Sequence, residues 1–212
     1  MTRTSRTATA DKIALWALTP DGAALAARLA AGLPGAELLV PEALLSAAPG
    51  AVPFASLKTE LAARFRAYRG HVCVMATGIV VRLLAGLLVH KAEDPAVVVV
   101  DEAGRFAISL VAGHLGGANA LAREVAAVLD AQPVVTTATD VNGVPAIDVL
   151  AVELGCAVET PDAIKRVNMA LLAGAPVAVH DPMGILAGRV PGAVPAGAGP
   201  GEAEVWVDAR TL

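Results

Sequence analysis

Five consecutive apolar residues, Ala-Val-Val-Val-Val at positions 96–100, constrain the fold more than any other part of this sequence. A run without polar alternation is typical of a strand covered on both faces, as in a parallel sheet that lies between helices. Similar short runs at residues 12–18, 36–40 and 71–76 alternate with alanine- and leucine-rich segments of helical spacing. The alternation predicts an α/β fold with a mostly parallel, Rossmann-like sheet and helices on both faces.

The chain is expected to form two units. Residues 1–10 are small and polar and are expected to be a disordered tail before an amino-terminal α/β domain at residues 11–141. After Asn142 the alternation repeats on a smaller scale, so residues 142–212 are expected to form a smaller α/β region. The stretch at 182–201 is rich in glycine and proline and is expected to be a long loop. The other expected elements of this region are helices at 147–155 and 163–174 and strands at 156–159, 176–180 and 204–209.

Composition excludes several classes of function. The chain has 16 lysines and arginines against 20 aspartates and glutamates, and only 3% of its residues are aromatic, which is unlike a nucleic-acid-binding protein. No apolar run approaches the roughly 20 residues that span a bilayer, and no signal peptide follows the N terminus. A cytoplasmic protein without membrane contact is therefore expected. Cys73 and Cys156 are expected to be buried free thiols, and no cysteine–histidine cluster predicts a metal site.

Three junctions combine glycines or threonines with the expected ends of strands: 76–78, 113–119 and 136–140. In open parallel sheets, ligands bind beyond the carboxyl ends of the strands, where helix N-termini favour carboxylates and phosphates. We expect the three junctions to meet at one edge and bind an anionic ligand, although each alone is also typical of a helix cap or a tight turn. None matches a nucleotide-binding glycine motif. The candidate binding residues are Thr77, Gly78, Gly113, Gly116, Gly117, Asn119, Thr136, Thr137 and Thr139.

His114 is the most informative titratable residue, because a histidine flanked by glycines is poorly suited to a core and can act as acid or base near neutral pH. Asp101 and Glu102 form a carboxylate pair suited to acid/base work, but the sequence Asp-Glu-Ala-Gly at 101–104 is also ordinary for a hairpin turn. If residues 97–100 and 106–110 pair as a hairpin, Asp101 and His114 leave the sheet at opposite edges. We expect His114 to be the one that shares an edge with Thr77.

Two cations accompany the Thr77 junction. Residues 79–89 are expected to form a largely buried helix, since Val, Leu and Ile surround most of its circumference. Arg82 lies about one turn into that helix and faces either the junction or the solvent. Lys91 follows the helix, and a solvated or ion-paired role is the alternative for both cations.

The block from residue 75 to residue 140 is long enough to compare with known families. Residues 75–140 read MATGIVVRLLAGLLVHKAEDPAVVVVDEAGRFAISLVAGHLGGANALAREVAAVLDAQPVVTTATD. The block resembles the amino-terminal domain of the cobalamin biosynthesis G (CbiG) family of cobalt-precorrin-5A hydrolases. The resemblance is dense from about residue 54 to residue 140 and looser from 144 to about 180, where TPDAIKRVNMALLAG resembles the central region of the family.

The resemblance implies an enzyme of anaerobic vitamin B12 synthesis, which opens the δ-lactone of cobalt-precorrin-5A and releases acetaldehyde to give cobalt-precorrin-5B. The cobalt belongs to the tetrapyrrole substrate, so no cofactor is expected. His114 or Asp140 is the candidate base, with Asp101 ranked lower. The candidate binding groups are the amides of Gly78 and residues 116–118, the threonine hydroxyls, Glu102, Arg82 and Lys91.

Family members commonly carry a further carboxyl-terminal domain, for which this sequence leaves no room. Either a separate protein is expected to supply that domain, or this form works without it. The alternative function is therefore a non-catalytic tetrapyrrole-binding subunit that needs such a partner.

Overall fold

A computed structural model of the chain describes residues 12–90, 93–186, 188–196 and 203–207. The expected tail at 1–10 and the candidate residue Lys91 lie outside these residues. The chain divides into two compact units between Val135 and Thr136, a few residues before the boundary expected near Asn142. Each unit is described by itself.

The first unit contains a seven-stranded sheet in the order β3-β2-β1-β4-β5-β6-β7. Its strands are β1 (Ile13–Ala17), β2 (Ala36–Pro41), β3 (Val52–Phe54), β4 (Gly70–Val74), β5 (Ala96–Val100), β6 (Phe106–Val111) and β7 (Gln132–Val134). Strands β1 to β5 are mutually parallel, β6 is antiparallel to β5, and β7 is parallel to β6. The strand order reverses between β1 and β4, which makes the ends of these two strands the topological switch point of the sheet.

Helices cover both faces of this sheet, which confirms the predicted α/β fold. The helices are α1 (Pro20–Gly32), α2 (Leu57–Arg64), α3 (Thr77–Leu84) and α4 (Ala118–Leu129). Leucines and valines of α1 and α4 pack with one set of strand side chains, including Leu15. Side chains of α2 and α3 pack with the alternate set, including Trp16. Because successive strand residues point to opposite faces, short apolar strands supply both cores at once.

The expected burial of residues 79–89 is wrong. The helix α3 ends at Leu84, and its buried residues are Val80 and Leu84. Ile79, Val81 and the later Leu88 and Val89 are exposed. The sequence is apolar around the whole helix, but the sheet covers one side of α3 only.

His71, in β4, is a core residue. The indole N–H of Trp16 donates to His71 Nδ1 at 3.0 Å. Since Trp16 can only donate, Nε2 of His71 carries the proton and donates to the Phe65 carbonyl at 2.9 Å. Burial of the ring lowers the pKa of His71 to about 4, although the bond to Phe65 acts in the opposite direction. The same burial raises the pKa of the Cys73 thiol to about 12, as suits an inert core residue.

The second unit is a smaller α/β arrangement. A three-stranded parallel sheet has the order β10-β8-β9. Its elements are α5 (Ala138–Val141), α6 (Ile147–Glu153), α7 (Ile164–Leu172), β8 (Val177–His180), β9 (Ala193–Pro195) and β10 (Val205–Trp206).

Two expectations about the second unit are wrong. Residues 156–159 do not form a strand, and β9 lies inside the 182–201 stretch expected to be a loop. Periodicity alone does not assign such short apolar runs. Pro195 is tolerated in β9 because this strand lies at the edge of its sheet.

Candidate functional site

The ends of β1, β4 and β5 lie in one row at the switch point. Ala17 pairs with Val74, and Val74 pairs with Val100. The three strands run in the same direction, so the residues that follow them leave the sheet at the same edge. In open α/β sheets this is the crevice in which ligands bind.

On the α1 side of this crevice, the helix N-terminus is already capped by a side chain. Oγ1 of Thr19 accepts a hydrogen bond from the Gly22 amide at 3.1 Å, and the same hydroxyl donates to Oε1 of Glu102. The N-terminus of α1 therefore has both a cap and a neighbouring carboxylate. Sequence reasoning did not include Thr19 among the site residues. Its signal was a capping threonine directly after a buried strand, and Glu102 is 83 positions away.

The α3 side of the crevice is open. The residue before α3 is Ala76, which has no side-chain acceptor to cap the first-turn amides. Ala76 and Gly78 are exposed, and Thr77 is half-buried. Nη1 of Arg82 donates to the Gly78 carbonyl at 2.9 Å, so the guanidinium folds back toward the first turn. The partial positive charge of the helix N-terminus and the full charge of Arg82 together favour an anionic group here.

Asp101 is a turn residue. Its carboxylate accepts hydrogen bonds from the amides of Arg105 (2.8 Å) and Phe106 (2.7 Å) and from Arg105 Nε (3.1 Å). Partial desolvation raises the pKa of Asp101, but these hydrogen bonds outweigh it, so the pKa lies below its ordinary value. The geometry favours the hairpin-turn interpretation over the candidate catalytic role. Glu102, the next residue, shares the switch-point edge with Thr77.

His114 does not share an edge with Thr77, and this expectation is wrong. The hairpin of β5 and β6 reverses the chain, as the antiparallel pairing of Val100 with Ala107 shows. The junction after β6, which carries His114, therefore lies at the edge opposite the switch point. Both junctions look alike in sequence because each joins a strand to a helix, but the two strands run in opposite directions.

The glycine loop at 113–119 donates several of its amides internally. The amide of Gly117 donates to the His114 carbonyl at 2.8 Å, that of Ala118 to Ala112 at 3.0 Å, and that of Asn119 to Gly113 at 3.0 Å. Gly117 has a φ of 85°, which a residue with a side chain rarely adopts. Gly117 and Ala118 were expected to hold an oxyanion with these amides, but the loop already uses them.

The side chain of Asn119 also forms a hydrogen bond within this junction. The Ser109 hydroxyl donates to Oδ1 of Asn119 at 2.7 Å, and the Asn119 side chain is buried. A Cβ on Gly113 would lie 2.8 Å from the same oxygen. These contacts give Gly113 and Asn119 a structural role.

The threonines of the 136–140 segment belong to the second unit. The Thr137 hydroxyl donates to Oδ2 of Asp140 at 2.6 Å, Thr139 is buried, and Thr136 is exposed. The segment begins the short helix α5, but its N-cap residue, Thr137, makes no side-chain cap hydrogen bond. The expected meeting of all three junctions at one edge of the large sheet is wrong, because Thr77 and His114 lie at opposite edges.

Residues 12–90, 93–186, 188–196 and 203–207 contain no group of three or more His, Cys, Asp or Glu side chains that could hold a metal ion. No helix within the described ranges is long and apolar enough to cross a membrane.

The fold and the switch-point edge define a Rossmann-like α/β protein with an open, positively charged helix terminus. Residues 59–140 match the family model of the cobalamin synthesis G N-terminal domain, and residues 145–212 match that of the cobalamin biosynthesis central region. The chain belongs to the cobalamin biosynthesis G family.

Individual relatives agree with this assignment. The chain is 47% identical over 164 residues to the cobalt-precorrin-5A hydrolase of Salmonella typhimurium, which is 76% of this chain and 46% of that protein. It is 40% identical over 124 residues to the cobalt-precorrin-5A hydrolase of Priestia megaterium, which is 58% of this chain and 33% of that protein. The chain thus spans less than half the length of these relatives.

A solved structure is also similar. It is described as a putative cobalamin biosynthesis protein G homolog from Sulfolobus solfataricus, with a TM-score of 0.48 and 22% identity over 81% of this chain and 49% of that chain.

Proposed function

We propose that this chain acts in the hydrolysis of cobalt-precorrin-5A, opening its δ-lactone and releasing acetaldehyde. The observation that carries the proposal is the 47% identity over 164 residues to a relative with that name. The cobalt ion is part of the substrate, so the proposal includes no resident cofactor. We also propose that the protein works in the cytoplasm.

Binding is proposed at the switch-point edge. The substrate carries carboxylates around its ring, and the first turn of α3 with Arg82 is the cationic feature that the structure places there. The hydroxyl of Thr77 adds a neutral donor at the same turn. A carboxylate held between a guanidinium and a helix N-terminus gains from both charges.

The chemistry requires water and one base. Water adds to the lactone carbonyl, the ring C–O bond breaks, and a carboxylate and a hydroxyl form. The base then removes the hydroxyl proton. The new carbonyl of acetaldehyde forms as the adjacent C–C bond breaks, and its electron pair passes into the macrocycle. A positioned base contributes about 10²–10⁴-fold to such a step.

We propose Glu102 as this base. Glu102 lies at the same edge as Thr77, and the Thr19 hydroxyl holds its carboxylate at Oε1. The neighbouring Asp101 is engaged by the turn. His114 and Asp140 remain alternative bases from the sequence, at other places in the chain.

The test is turnover of cobalt-precorrin-5A by the purified chain, measured as acetaldehyde release. Glu102→Gln should lower kcat by about 10²-fold or more, whereas His114→Gln should retain most activity. Glu124→Gln is the matched control, because Glu124 is an exposed carboxylate on α4. A large loss in His114→Gln with full activity in Glu102→Gln would move the base to the opposite edge.

A second outcome favours the alternative function. Binding of substrate without acetaldehyde release, with turnover restored by the remaining part of a full-length relative, would make this chain a tetrapyrrole-binding subunit. The absence of both substrate binding and turnover would contradict both functions.

A further inference from the structure

The outer face of α3 is apolar where a helix usually exposes polar side chains to water. We define the α3 outer face by Gly78, Ile79, Val81 and Arg82 of α3 and by Leu88 and Val89 of the segment that follows the helix, which are all exposed. Val81 is 50% exposed and Val89 is 72% exposed. Larger exposed apolar patches mark binding surfaces more often than isolated exposed side chains do.

Arg82 is the single charged residue of the α3 outer face. Its guanidinium lies beside the Gly78 carbonyl at the first turn, so the positive end of the face coincides with the positive end of the helix dipole. The face therefore combines an apolar surface with a cationic end. Its complement is a molecule with an apolar body and an anionic rim.

We propose that the ring body of the substrate lies across the α3 outer face, with a peripheral carboxylate at Arg82 and the first turn. This inference rests on the proposed function and adds the residues that contact the ring: Ile79, Val81 and Val89. A second copy of the chain is the other occupant that the test below distinguishes.

Binding of cobalt uroporphyrin, a ring with peripheral carboxylates, tests this contact directly. Val81→Ser should weaken binding about fivefold, and Val81→Ser with Val89→Ser should weaken it at least tenfold, since each change removes apolar area from the contact. Val152→Ser is the matched control, because Val152 lies on α6 in the second unit and is 57% exposed. It should bind like the wild type.

Citrate serves as a ring-free polycarboxylate probe. Its weak binding should respond to Arg82→Gln but not to Val81→Ser, because only the ring body contacts the valines. The thermal midpoint of each serine variant is measured in parallel, and the exposed positions should leave it nearly unchanged.

Each result bears on one of the two proposals. Wild-type affinity for cobalt uroporphyrin in both valine variants would overturn this inference, and acetaldehyde release by the same preparations would still support the proposed function. Dissociation of a wild-type dimer by Val81→Ser, seen by sedimentation velocity, would also overturn it, because a second copy would then cover the face. Ring binding that the valine variants weaken, without any acetaldehyde release, would support the contact and contradict catalysis by the chain.

Discussion

The junctions before α3 and before α4 both join a strand to a helix, yet they present different chemistry. Before α4, the amides of Gly117, Ala118 and Asn119 donate to carbonyls of their own loop. Before α3, Ala76 leaves the first turn without a side-chain cap, and Arg82 adds a positive charge. A helix terminus whose amides are satisfied locally stabilises the fold, whereas an uncapped and exposed one is available to a ligand.

The comparison also separates two kinds of glycine. A Cβ on Gly116 would lie 2.4 Å from the Ala112 Cβ and 2.9 Å from the Asp94 carbonyl. A Cβ on Gly78 would meet only the mobile end of Arg82, at 3.2 Å from Nη1. Close packing therefore requires glycine at position 116, and the α3 junction has no such requirement at position 78.

The largest predicted effect is a loss of stability in acid that comes from His71. Any comparison of the two junctions at different pH values must therefore stay above the range in which this loss occurs. The folded-state pKa of His71, about 4, lies below its ordinary value of 6.5, so the unfolded chain binds the proton more tightly. Stability from this group is full above pH 6.5 and is lost as the pH falls toward 4, by about 3 kcal/mol at that pH. Urea unfolding measured across this range checks it.

His71→Gln provides the control for the pH effect, because an amide can still bond Trp16 and Phe65 but does not titrate. The variant should be less stable at neutral pH and show a flatter dependence on pH between 6.5 and 4. An unchanged slope would assign the acid sensitivity to other groups.

Alanine substitution of the two glycines compares the junctions directly. Gly116→Ala should lower the free energy of unfolding by about 2 kcal/mol, because its Cβ overlaps backbone and a neighbouring Cβ. Gly78→Ala should change it by less than about 1 kcal/mol, since alanine favours the helix and only Arg82 must move. Equal stabilities of the two variants in urea unfolding would remove the structural distinction.

Adding a side-chain cap to α3 should have the smallest of these effects. It should raise the stability of the fold and lower the affinity for the ring. Ala76→Ser supplies a side-chain acceptor for a first-turn amide and should stabilise the fold by about 0.5–1 kcal/mol. The same bond competes with a bound carboxylate, so affinity for cobalt uroporphyrin should fall a few-fold. Ala85→Ser, at the other end of α3, is the control. A gain in both stability and affinity would contradict the proposed use of this terminus.

Much of the sheet could be predicted from the sequence, because apolar runs such as residues 96–100 report burial on both faces directly. The hairpin turn at 101–105 could also be predicted. The parallel pairing of β4 with β5 could not, and it is this pairing that puts Glu102 rather than His114 at the edge of Thr77. The contact between Thr19 and Glu102 joins residues 83 positions apart, and only the register of β1, β4 and β5 reveals it. The role of residues 136–140 could not be decided from the sequence, because threonine and aspartate are common both in turns and caps and in binding sites.

The proposed site for the anionic ring is the first turn of α3 and not the glycine loop before α4. Backbone amide chemical shifts during titration with uroporphyrin measure this directly. We predict that the chemical shifts of the Thr77 and Gly78 amides change in a saturable way, while those of the Gly117 and Ala118 amides do not change. Saturable shifts at Gly117 and Ala118, with none at Thr77 and Gly78, would contradict it.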